Sequence, residues 1–120
     1  MHWKSITMGA LALACGSALG CGGAAAPTAQ RTDTMAALRS AEEVGAAGTP
    51  DASLHLQLAR EQVSQADELI RVGHMQEAEE VLVRAKADAE LAIALTREDD
   101  AREQAEDAAA QVRALRERMR

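Results

Sequence analysis

The 120-residue chain has almost no aromatic side chains: no Phe, no Tyr, and one Trp, Trp3, near its start. Without Phe, Tyr or Trp beyond position 3 there is no stacking platform for nucleic-acid bases or sugar rings. The bulky side chains that fill most globular cores are also missing. Cysteine is limited to Cys15 and Cys21, too few for a disulfide framework. Proline occurs twice, at Pro27 and Pro50, so nothing interrupts helix from residue 51 onward by removing a backbone donor. Positive charge is in deficit: 13 Lys and Arg face 19 Asp and Glu, a formal net charge of −6. That argues against a nucleic-acid partner, which needs a basic footprint. No apolar run reaches the ~20 residues that a membrane-spanning helix requires.

What is present falls into two parts. Met1 and Lys4 make a charged start, and Ile6 to Leu19 is an apolar stretch that ends in Gly20-Cys21-Gly22-Gly23. A positive n-region, an apolar h-region of ~7–15 residues and small residues before a cut define a secretory signal. A cysteine just after the cut defines the lipoprotein form of that signal. Residues 1–20 are therefore expected to be a lipoprotein signal peptide, with Cys21 as the lipidation site. The lipobox positions hold Ala18, Leu19 and Gly20, a good match at Gly20 and a looser one before it. Cys15, after Ala12-Leu13-Ala14, is the competing site but leaves an h-region of only about eight residues. An ordinary secretory signal with two incidental cysteines is the plainer alternative. One acyl chain binds a membrane only marginally, at roughly 0.8 kcal/mol per buried methylene, and two or more make a stable anchor.

The second part is rich in Ala, Glu, Arg and Gln, all strong helix formers. Residues 21–31, small and polar with Pro27, read as a tether, and residues 32–120 as an Ala-rich helical hairpin domain. Asp33 or Thr34 can cap a first helix whose face is Met35, Leu38, Ala41 and Val44. Gly45-Ala46-Ala47-Gly48 interrupts this arm near residues 45–50. Thr49-Pro50-Asp51 restarts it, with Thr49 as N-cap, Pro50 at the first helical position and Asp51 against the positive helix end. Ala52, Leu56, Ala59, Val63, Ala66 and Ile70 then recur at spacings of four and three, an apolar seam that Leu54, Leu58 and Leu69 widen. Gly73 is placed to close the helix. Met75, Ala78, Leu82, Ala85, Ala89 and Ala92 continue the rhythm. Thr96 to Asp100 breaks it without a helix breaker, and a second seam follows: Ala101, Ala105, Ala108, Val112, Leu115 and Met119.

The fold class is therefore all-α, a long antiparallel, coiled-coil-like helical hairpin that can extend to three helices. At 100° per residue the two seams of the last helix lie on roughly opposite sides. Either that helix breaks near Asp99-Asp100 or its halves pack against different neighbours. The nearly equal arms 31–72 and 75–118 favour the second arrangement. Pro50–Val72 would pair with Met75–Arg97, and the first helix would fold over to meet the second seam. Val112, Leu115 and Met119 are the most apolar residues beyond 100 and are the candidate partner-binding surface. Arg113, Arg116, Arg118 and Arg120 flank them, at the negative end of the helix.

Three stretches resemble a known family: Ala41-Glu42-Glu43-Val44-Gly45-Ala46-Ala47, Thr49-Pro50-Asp51 leading to Leu58-Ala59-Arg60, and Gly73 with Glu77-Ala78-Glu79 through Ala85-Lys86-Ala87-Asp88-Ala89-Glu90-Leu91-Ala92. Together they are similar to the Ala-rich helical bacterial lipoproteins of domain-of-unknown-function family 4398, over about residues 33–98. Many members carry an aromatic before the proline and another after the mid-hairpin glycine, where this chain has Thr49 and Met75. The resemblance implies a secreted lipoprotein with a helical hairpin, and no activity for any residue to inherit. Ala66, Gly73, Met75, Ala78, Leu82 and Ala85 also resemble one tetratricopeptide repeat, although about three repeats are normally needed to bury one another's faces.

Catalytic and ligand constellations are not evident. His55 with Asp51, or His74 with Glu77, offers two metal ligands where three or four are needed. Glu98-Asp99-Asp100 lacks the glycine-turned loop of a calcium site. No nucleophile elbow or phosphate-cradling loop occurs. The functional expectation is a non-catalytic structural or protein-interaction module with no metal, cofactor or small-molecule substrate. It would be held at the bacterial cell envelope by lipid on Cys21, at the outer membrane facing the periplasm. A protein partner or self-association is expected. The alternatives are a tetratricopeptide-like peptide-binding adaptor and a coiled-coil periplasmic spacer.

Overall fold

The structure, a computed structural model, describes residues 24–120. The expected signal peptide and Cys21 lie outside the described residues. Three helices follow one another: α1 (Thr28–Glu43), α2 (Pro50–Arg71) and α3 (Met75–Arg118), with a short 3-10 turn at Ala46–Gly48 between the first two. Among the described residues there is no strand. α2 runs antiparallel and α1 parallel to the first half of α3, so the antiparallel hairpin of α2 and α3 is the frame and α1 completes a three-helix bundle.

Both reversals depend on a glycine in the left-handed region. At Gly73, φ is +88°. The Gly73 N–H donates to the Ile70 carbonyl at 3.1 Å and the His74 N–H to the Leu69 carbonyl at 2.8 Å. These two bonds satisfy carbonyls that the end of α2 would otherwise leave free, the pattern that glycine makes at helix ends. Gly45, at φ +83°, ends α1 in the same backbone region. The restart at α2 is the one expected, with Pro50 first and Asp51 in the first turn. Thr49 occupies the N-cap position, but its side chain makes no capping bond, and its carbonyl accepts from Ser53 at 2.8 Å.

The start of α1 differs from expectation. The helix begins at Thr28, just after Pro27, so residues 28–31 of the expected tether are helical. Thr34 is not a cap but a fully buried core residue. Its hydroxyl is shared between the Gln30 carbonyl at 2.8 Å and the Leu82 carbonyl of α3 at 3.1 Å. A hydroxyl that bonds back to the preceding turn needs no water, which lets it serve in the apolar seam with Leu38 and Ala41.

The core is made mostly of alanine. Ala41, Ala52, Ala59, Ala66, Ala85 and Ala92 are among the alanines with no exposed surface, and Leu56 and Leu82 are the largest fully buried side chains. Small side chains at the contacts let helices approach toward the short end of the usual 8–10 Å axial separation. The expected seam of α2 and the first seam of α3 are thus the observed ones, and Ala66 and Ala85 both lie in the core. Leu54 does not widen the seam: it is mostly exposed. Two residues from Ala52 is about 200° around the helix, which puts Leu54 on the far side. Thr96, expected in the polar break, is instead the last buried residue of α3, with its hydroxyl donating to the Ala92 carbonyl at 2.9 Å.

Candidate contact surface on the free arm of α3

α3 is continuous over 44 residues, with no break at Asp99-Asp100. All seven of its buried residues lie between Ala78 and Thr96, and every residue from Arg97 onward is exposed. This exposed stretch is about 22 residues, roughly 33 Å at 1.5 Å each; Thr49 and Asp51 at the start of α2 line a small depression with its first residues, Glu98, Asp99 and Arg102, and the rest projects beyond the bundle. The expectation that α1 folds over to cover the second seam is therefore corrected. Residues 44–49 reverse the chain so tightly that α1 must lie antiparallel beside α2. It thus lies along the same stretch of α3, as the Thr34–Leu82 bond shows.

On the arm, Val112 is 46% exposed, Leu115 56% and Met119 79%. With Ala101, Ala105 and Ala108 they form a stripe about 80° wide. Covering Val112, Leu115 and Met119 would return about 1.5–3 kcal/mol each, and no residue among those described does so. Near the arm's base Arg102 pairs with Glu98 at 2.8 Å and lies 4.0 Å from Asp99. The acidic run is thus a solvated helix face with its own counter-ion.

A second polar cluster joins α2 to α3 within the bundle. The His55 Nδ1–H donates to Asp88 Oδ1 at 2.8 Å, and the Gln62 side-chain N–H donates to Asp88 Oδ2 at 2.8 Å. The pairing of His55 with Asp51 considered from sequence is thus replaced by one across 33 positions. Asp88 uses both oxygens to hold α2 in register against α3. His74 does bond Glu77, at 2.9 Å, on the exposed first turn of α3. Among the described residues no three His, Cys, Asp or Glu side chains are grouped to hold a metal ion.

Arg31 and Asp67 form a bidentate pair between α1 and α2, at 2.7 and 2.9 Å. The hydrogen bonds to Arg31 hold the Asp67 carboxyl below the usual carboxylate range, and Asp67 in turn raises the Arg31 guanidinium. Sequence reasoning missed this pair, Thr34 and the Asp88 strut, because each joins residues far apart in the chain. Local spacing carries no signal for them.

The model of a family described as a domain of unknown function, DUF4398, matches residues 29–108. The chain belongs to this family. No curated protein and no solved structure shows a significant match. The DUF4398 match begins at the first turn of α1 and takes in the whole bundle and the lower part of the arm. Val112, Leu115 and Met119 lie beyond it. No helix among the described residues is long and apolar enough to cross a membrane.

Proposed function

We propose that this DUF4398 chain is a lipid-anchored, non-catalytic structural or protein-interaction module of the bacterial cell envelope. In this reading Cys21 carries the lipid and holds the protein at the outer membrane, facing the periplasm. The α3 arm is the contact surface. The observation that carries the reading is the polarity of the molecule. Ala24, three residues after Cys21, lines a shallow depression with Gly73, His74, Met75 and Glu77 at the α2–α3 turn. The arm leaves the bundle at the other end, past Thr96. A lipid on Cys21 would hold the turn end near the membrane and direct the arm outward. Its tip would stand roughly 65 Å away if α3 were upright.

Fractionation of envelopes tests the anchor. Cys21→Ala should release a soluble form and Cys15→Ala should not. Association that survives Cys21→Ala but not Cys15→Ala moves the lipid to Cys15, and association that survives both removes the anchor from the reading. Truncation after Asp100 tests the arm, because crosslinks to a partner should vanish while the bundle still melts cooperatively. Collapse of the bundle would make the arm part of the core and end its role as a contact surface.

A further inference from the structure

The arm's apolar stripe is a palindrome in spacing. Ala101, Ala105, Ala108, Val112, Leu115 and Met119 are separated by four, three, four, three and four residues. Reversed about position 110, the stripe maps onto itself: 101 falls on 119, 105 on 115 and 108 on 112. Each alanine thereby meets a larger side chain. We propose that the occupant of the arm is a second copy of this chain, bound antiparallel about a two-fold axis at the level of Ala110. The proposal rests on the reading of the arm as a contact surface and not on the lipid.

Complementary size is the first support. The six layers of such a pair each hold one alanine and one of Val112, Leu115 and Met119, so the two helices can keep an even separation. A parallel, in-register pair would set alanine on alanine in the lower half and large on large in the upper half. Its axes would have to splay. Opposing layers of antiparallel coiled coils need this kind of knob-into-hole fit.

Charge is the second. Residues 98–107 carry six carboxylates and one Arg, whereas residues 111–120 carry four Arg and one Glu. The antiparallel pair lays each acidic stretch beside the partner copy's basic stretch, and the parallel pair lays like on like. A helix dipole accounts for arginines in the last turn. It acts only within the first and last turns, and the carboxylates begin more than twenty residues into a continuous helix.

Clearance is the third. At 100° per residue the arm's stripe centres about 140° around α3 from the buried seam that faces α1 and α2. In this register Arg120 of the second copy falls level with Asp100, so its arm ends at the top of the bundle, past Thr96 and on the other side of α3, and does not strike it. The assembly is a rod with a bundle at each end, and the two chain entries at Ala24 lie at its far ends.

Site-specific crosslinking tests the pairing. In the full chain carrying Cys15→Ser and Cys21→Ser, Ala105→Cys and Leu115→Cys are made separately and joined with a short bismaleimide. The mixture should give a strong covalent dimer. Each variant alone should give only background, since identical positions are then roughly 15 Å apart along the axis. Leu115→Asp should weaken dimerisation about a hundredfold, as two buried leucines are lost per dimer. The bundle should stay folded, because Leu115 touches none of it. Strong self-crosslinking of each variant alone would mean a parallel pair and would overturn the proposal. A monomer by sedimentation at every concentration would overturn it too. Neither result touches the fractionation and truncation outcomes, so the two readings fail separately.

Discussion

The two halves of α3 share one helix and one kind of apolar rhythm, yet residues 75–96 contribute seven buried side chains and residues 97–118, with 12 charged residues against 7, contribute none. The difference lies in what stands opposite. α1 and α2 bury nothing on α3 past Thr96, and the second seam is left facing solvent. The first turn of an isolated helix is costly to form. The arm escapes that cost because it grows from a helix that the bundle has already nucleated. Ala, Glu, Gln and Arg then propagate it, helped by exposed pairs such as Glu98–Arg102, worth about 0.2–0.5 kcal/mol each. A seam in the sequence therefore states that a helix can be covered, and not that it is.

The largest effects should come from core substitutions that contrast the two halves. Leu82→Ala, in the buried half, should cost about 2–5 kcal/mol in urea denaturation followed by circular dichroism. Leu115→Ala should move the unfolding of the monomer by less than about 0.5 kcal/mol. Equal losses would mean the arm is packed and the contrast between halves is false. Next, Ala66→Leu or Ala85→Leu should cost ~1–3 kcal/mol by overpacking the close contact between α2 and α3. Unchanged melting in both would move those alanines out of the seam.

Gly73→Ala should cost about 1–2 kcal/mol. The space around Gly73 is open, so only the left-handed backbone opposes a side chain. Gly48→Ala, where φ is not positive and nothing stands within 4 Å, is the control and should be close to neutral. The smallest effect concerns pH. Asp67 is held below its ordinary range by Arg31, so their bond contributes stability above an ordinary Asp pKa of about 3.9. That contribution is lost as pH falls through the lower folded value. Both side chains are 43% exposed, so solvent and salt weaken the pair. Asp67→Asn should flatten the acid limb of the stability curve slightly, and an identical limb in both proteins would show the pair to be idle.

Much of this architecture was legible in the residues. Thr49-Pro50-Asp51 marked the start of α2, Gly73 marked its end, and the four-three spacing of Ala52 to Ala66 and Ala78 to Ala92 named the core. The stripe at Val112, Leu115 and Met119 was legible as apolar, but its exposure was not. Thr34 and Thr96 were read as polar punctuation, because a hydroxyl that satisfies itself on its own helix is indistinguishable in sequence from one that faces water.

The sequence by itself determined where helices start, stop and turn apolar, since propensity, capping and the 3.6-residue period act within a few neighbours. Tertiary structure alone decided which seams are covered. The tight reversal at residues 44–49 sends α1 back along α2, Asp88 bridges His55 and Gln62 across the bundle, and Arg31 finds Asp67 36 positions away. Those outcomes depend on distances between helices in space. No periodicity along a single helix encodes them, and for that reason the free arm became visible only once the bundle was built.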